Sequence, residues 1–137
     1  MTIARIIGVG LLLAAAVPGV SASARPALSE VPEIENTLFA VAVADAVRDR
    51  CEGIDARLVK AYGVLWSIRA RANELGYSDE EIRAYVDSDR EKARMRAKGE
   101  AFLAQRGVSL DKTETLCAFG REEIARNSAI GALLKAR

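Results

Sequence analysis

The stretch "VPEIENTLFAVAVADAVRDRC", Val31 to Cys51, decides the fold. Pro32 is tolerated in the opening turn of a helix, where its missing N–H has no intrahelical partner to lose. Glu30, Glu33 and Glu35 stand where carboxylates complement the positive end of the helix dipole. From Leu38 to Val47 the sequence is apolar nearly all round, which marks the most buried helix of the chain. The spacing predicts a helix from Val31 to Cys51, broken by Gly53.

Three more helical segments follow. Ile54, Leu58, Ala61, Leu65, Ile68, Ala72 and Leu75 recur at steps of three and four, a single helical stripe that ends at Gly76. In "SDEE", Ser78 reads as an N-cap and Glu81 as its capping-box partner, opening a long third helix that runs toward Arg106 and closes at Gly107. Asp111 and Glu114 repeat the capping logic. Leu116, Gly120, Ile124, Ser128, Gly131 and Leu134 then give the last helix a face rich in small residues, which lets a neighbouring backbone approach closely. Short connections favour antiparallel neighbours, so the expected architecture is all-α, an up-down-up-down four-helix bundle. Such a bundle places Cys51, at the end of the first helix, at the same end as Cys117, at the start of the last. A disulfide between them is expected, closing a loop of roughly 65 residues and adding about 4 kcal/mol on the chain-entropy model.

The chain opens "MTIARIIGVGLLLAAAVPGVSASARP", with one cation at Arg5, an apolar run from Ile6 to Val17, and Ala22-Ser23-Ala24 before the next charge. That pattern is a secretory signal peptide over residues 1–24, and twelve apolar residues are too few for a helix to span a bilayer. Cleavage after Ala24 leaves 113 of the 137 residues, expected to form one helical domain over 25–137 in the periplasm, where oxidation of two cysteines is favoured. Without Arg5, 19 basic residues face 19 acidic ones. This balance excludes the basic character typical of nucleic-acid binders, and no integral membrane span is expected after cleavage.

Absences narrow the chemistry further. With no histidine in the sequence, His-based triads, His-ligated zinc and His-ligated haem are excluded. A CxxC redox pair and a Gly-rich phosphate loop are missing too, so no cofactor and no metal site is expected. Only a carboxylate pair could serve catalysis, and no particular pair stands out. The chain therefore reads as a protein without enzymatic activity.

The candidate contact residues fall into three groups. "SDREKARMRAKGE", Ser88 to Glu100, holds an i, i+4 row of cations, Arg90, Arg94 and Lys98, beside Asp87, Asp89, Glu91 and Glu100. A solvated face is its plain reading, and a docking surface for an acidic partner or anionic lipid its functional one. Tyr62 and Trp66 share a helix face at i, i+4 spacing, either as core or as an exposed anchor for a partner. Asp45, inside "VAVADAV", needs an Arg partner such as Arg48, a shifted pKa or an exposed strip. Asn127 and Ser128 in "RNSAIG" are poor helix-interior residues that ask for a hydrogen-bond role, whether an interhelical polar contact or a ligand.

The strings "VADAVRDRC", "LGYSDEEIRAYVDSDREKARMRAKGE" and "REEIARNSAIGALL" are similar to a small family of exported bacterial proteins, domain of unknown function 5333, over nearly the whole span from Pro26 to Leu134. The resemblance implies export and one helical domain, and it transfers no activity. Together these readings predict an interaction or accessory protein of the cell envelope with an envelope protein as partner. The alternatives are a small-molecule carrier with a pocket between helices near Asp45 and Asn127, and an acid or envelope-stress chaperone.

Overall fold

A computed structural model describes residues 25–137; the expected signal peptide, residues 1–24, lies outside them. The fold is mostly helical, with α1 (Pro32–Arg50), α2 (Leu58–Glu74), α3 (Asp79–Asp87), α4 (Asp89–Ala104) and α5 (Thr113–Arg126). Two short strands, β1 (Ile54–Ala56) and β2 (Leu134–Ala136), pair antiparallel in the register Ile54 to Ala136, Asp55 to Lys135 and Ala56 to Leu134.

Helix α1 is the centre of the fold, and α2, α4 and α5 all pack against it. Its nearly continuous apolar sequence gives Ala40, Val43, Ala44 and Val47 to the core, and Val47 is fully buried. These side chains meet Ile54, Leu103, Leu116 and Phe119 in the larger of two apolar clusters. Phe102 joins α1 to α5 by edge-to-face contacts, its ring centroid 5.1 Å from Phe39 and 6.1 Å from Phe119. A smaller cluster of Leu28, Ile34, Ala72 and Tyr77 seals the other end of α1. The disulfide joins Cys51 to Cys117 with a Cα separation of 5.6 Å, tying the end of α1 to the first turns of α5.

The structure corrects the sequence reading at four places, so that the described residues form five α-helices and a β-pair instead of four continuous helices. The second helix starts at Leu58, because Ile54 turns into the core and its backbone pairs with β2. The third helix breaks at Ser88, whose extended backbone (φ −63°, ψ 119°) ends α3 and whose hydroxyl accepts the Glu91 N–H to start α4. Ser88-Asp89-Arg90-Glu91 thus repeats the Ser78-to-Glu81 signature, with one difference. At Ser78 the box is closed, the Ser78 N–H donating to Glu81 Oε2 at 2.7 Å, whereas the Glu91 carboxylate is held by Arg94 instead.

The last helix ends at Arg126, because Asn127 adopts the left-handed conformation (φ 47°, ψ 42°) that closes helix C-termini. Ser128, Gly131 and Leu134 therefore leave the helix and lie on the segment that folds back toward β2. Asp111 does not cap α5 either. Lys112 occupies that place without a side-chain cap, and Thr115 ties the turn to Lys112 and Ser109.

Candidate interaction surface and the Glu35 clamp

Helix α2 is apolar on two sides. Ala72 and the half-buried Ala61, Val64 and Ile68 turn inward, while Leu58, Val59, Tyr62 and Trp66 are 59, 91, 64 and 66 % exposed. Steps of three and four put these four on one outer face. Most exposed apolar residues on a protein surface are scattered singly, so a row of four on one face is a candidate contact surface.

Trp66 is held in place. The Arg69 guanidinium lies 5.0 Å from its ring centroid, and Arg69 is itself fixed by two bonds to the Asp79 carboxylate at 3.0 and 2.6 Å. Asn73 donates to Asp79 at 3.2 Å as well. Arg69 and Asn73 hold the Asp79 carboxyl below its ordinary range. Gly63 leaves open space beside the row, where even a Cβ would meet nothing within 4 Å.

The basic row of α4 is divided between one solvated cation and two that reach across to α1. Arg90 is exposed, but Arg94 and Lys98 converge on the buried Glu35 of α1. Arg94 grips both carboxylate oxygens, at 2.8 and 2.9 Å, and Lys98 adds a bond of 3.0 Å. The Tyr85 hydroxyl of α3 donates to Glu35 at 3.1 Å, and Lys98 also lies 4.9 Å from the Phe39 ring centroid. The Arg94 bonds, aided by Lys98 and Tyr85, outweigh burial and pull the Glu35 carboxyl down to about 2. Burial, with Glu35 alongside, pushes the Tyr85 phenol up. The sequence reading took Arg90, Arg94 and Lys98 as a solvated face or a docking surface; Arg94 and Lys98, still partly open to solvent, pair with Glu35.

Asp45 lies on an exposed strip and is paired with Arg48 at 2.6 Å, the partner named from the sequence. The cleft that includes Asp45 runs between α1 and α4 beside Met95 and Gly99, and Asn127 does not line it. Asn127 is exposed and serves as the cap of α5, whereas the Ser128 hydroxyl donates to the buried Glu123 carboxylate, which Arg126 also holds. The Gly131 N–H returns to the Ser128 Oγ at 3.0 Å. Asn127 and Ser128 therefore make the turn that carries the chain from α5 to β2.

Sequence reasoning missed Glu35 and Glu123 as buried anchors. A signal existed for Glu35, which lies four residues before Phe39 and so on the row of α1 that meets α4. Among the described residues, no group of three or more His, Cys, Asp or Glu is placed to hold a metal ion. No helix among them is long and apolar enough to cross a membrane.

Fold and surface together define a disulfide-stapled helical protein with an aromatic helix face exposed among the described residues. The chain belongs to the family of unknown function DUF5333, whose model matches residues 26–135. No curated protein and no solved structure matches it.

Proposed function

We propose that the protein is a periplasmic interaction or accessory protein of the cell envelope, without chemistry of its own, which docks an envelope protein through the outer face of α2. The observation that carries this reading is the row Leu58, Val59, Tyr62 and Trp66, with Trp66 pre-oriented by Arg69 and Asp79. Pre-orientation lowers the ordering cost of binding, and buried aromatic anchors dominate interface energies. The signal-peptide pattern and the Cys51–Cys117 bridge support an exported, oxidising setting.

The same reading takes the frame as up-down-up-down, with α3 and α4 jointly forming the third leg. Arg71 near the end of α2 meets Glu33 at the start of α1, and Cys51 meets Cys117, both as antiparallel neighbours require. Glu35 and Phe39 meet Arg94 and Phe102 in the same order along both helices, as a parallel third leg requires.

The deciding experiment is affinity capture of the tagged, natively exported protein from gently solubilised envelope, in parallel with a Val59→Ser/Tyr62→Ser/Trp66→Ser variant. A partner recovered with the unaltered protein and lost with the folded variant is the expected result. Equal recovery with both removes α2 as the docking face. The acid-chaperone alternative is less favoured, because its trigger would be carboxylates that titrate together near mild acidity. Glu35 is held at about 2, and Asp55, Asp79 and Glu81 are held below their ordinary values by arginines and a backbone amide.

A further inference from the structure

The inner flank of α2, turned away from the aromatic row, carries a second feature. A groove of about 600 Å³ runs between α1, α2 and the turn before β2. Ala40, Val64, Ile68, Ala129, Ala132 and Leu133 give it an apolar lining. Its volume falls within the roughly 300–1,000 Å³ of small-molecule sites. The two charged residues that line it, Lys60 and Arg71, are both cations.

These two cations differ. Arg71 is compensated by Glu33 at 2.8 Å and Glu74 at 3.1 Å, while Lys60 enters none of the salt bridges among the described residues. The two hydroxyls on the rim have spent their protons on their own helices, Thr37 on the Glu33 carbonyl and Ser67 on the Gly63 carbonyl. The Lys60 ammonium is thus the uncommitted cationic donor of the groove. Lys60, Val64, Ile68 and Arg71 form one line along α2, and eleven residues of helix span about 16 Å. A groove of that length, apolar between its two cations and with the free ammonium at one end, matches an extended chain of roughly a dozen carbons ending in an anion.

We propose that this groove binds a single-chain amphiphile with an anionic head, the head beside Lys60 and the tail along Val64 and Ile68. The site is separate from the docking face of the proposed function, and either can fail without the other.

The test is calorimetric titration of the purified protein with dodecanoate and with dodecyltrimethylammonium, each below its micelle concentration. These probes share a tail and differ in the sign of the head. Saturable one-to-one binding of dodecanoate is expected, with dodecyltrimethylammonium at least tenfold weaker. Lys60→Glu, an exposed change that leaves the core intact, weakens dodecanoate at least tenfold, and Ala132→Trp abolishes its binding by filling the groove. Trp66→Ser leaves it unchanged. A dodecanoyl lysophosphatidylglycerol titration separates a lysolipid from a free fatty acid as the natural source, and binding of either with this variant pattern carries the proposal. Failure of both probes, equal binding of the cationic probe, indifference to Lys60→Glu, or loss of binding in Trp66→Ser overturns it.

Discussion

Glu35 on α1 and Arg94 on α4 form a bidentate pair, at 2.8 and 2.9 Å, across the interface between the central helix and its basic neighbour. Its consequence for pH follows from the direction of the shift. Glu35 has a lower pKa folded, about 2, than the 4.5 of the free group, so its stabilisation is present in full above about pH 5. It is lost as pH falls through 4.5 toward 2. With allowance for solvent around Arg94 and Lys98, it amounts to roughly 2 kcal/mol. Chemical denaturation at pH 7 and pH 3 should show this loss, and Glu35→Gln should remove most of the Glu35 share of the difference.

Arg90 and Arg94 are one helical turn apart, and their replacements should separate a solvated cation from a structural one. Arg90→Ala should change stability by less than about 0.5 kcal/mol. Arg94→Ala leaves Glu35 buried with only Lys98 and Tyr85, and should cost about 3 kcal/mol. Urea midpoints of the two variants check this, and equal midpoints would return Arg94 to the surface.

Reduction should lower the thermal midpoint. The Cys51–Cys117 bridge spans a sequence separation of 66, for which the chain-entropy model gives about 4 kcal/mol. Scans with and without reductant, together with a thiol count of the untreated protein, measure the effect. Free thiols in the untreated protein would refute it.

How much of this was legible in the sequence depended on how local the cause was. The unbroken apolar run of α1 and the Ser78 capping box were readable because each is written in neighbouring residues. The Ser88 cap was equally local, but the helical continuity of "DREKARMRAKGE" masked it. Strands of three residues leave no periodicity to read, and Ile54 and Leu134 fitted helical stripes equally well. Their pairing depends on the turn at Asn127, which returns the chain to β1. The row of α2 was seen only as Tyr62 and Trp66, because a helix apolar on both sides does not declare in its sequence which side its neighbours cover. Glu35 read as a dipole residue because its partners Arg94 and Lys98 lie some sixty positions away.

Two glycines should answer substitution differently. A Cβ at Gly120 would come within 2.6 Å of Val47 Cγ1 and 2.8 Å of Ile54 Cδ1, side-chain atoms that can yield a little. Overpacking of about 1–3 kcal/mol is offset in part by the better helix propensity of alanine, worth about 1 kcal/mol. At Gly131 the added carbon would overlap the Glu123 backbone carbonyl, which cannot move without disturbing α5. Gly131→Ala should therefore lower the midpoint well below that of Gly120→Ala, measured under identical conditions.

Trp66 is the sole tryptophan, so its fluorescence reports the α2 face without labelling. Arg69 is the link between its ring and Asp79, and a cation–π contact at an exposed site contributes about 0.5–1 kcal/mol. Arg69→Ala should therefore cost little stability yet free the indole, lowering its steady-state anisotropy. If the ordered ring is what a partner meets, the same variant should bind the captured partner more weakly through a higher entropic cost, although the apolar row itself remains intact. Arg69→Lys retains the charge but loses both the planar stack and the two-point bond to Asp79, and should behave like the alanine variant. Unchanged anisotropy in both would mean that packing along α2, and not the Arg69–Asp79 pair, orders Trp66.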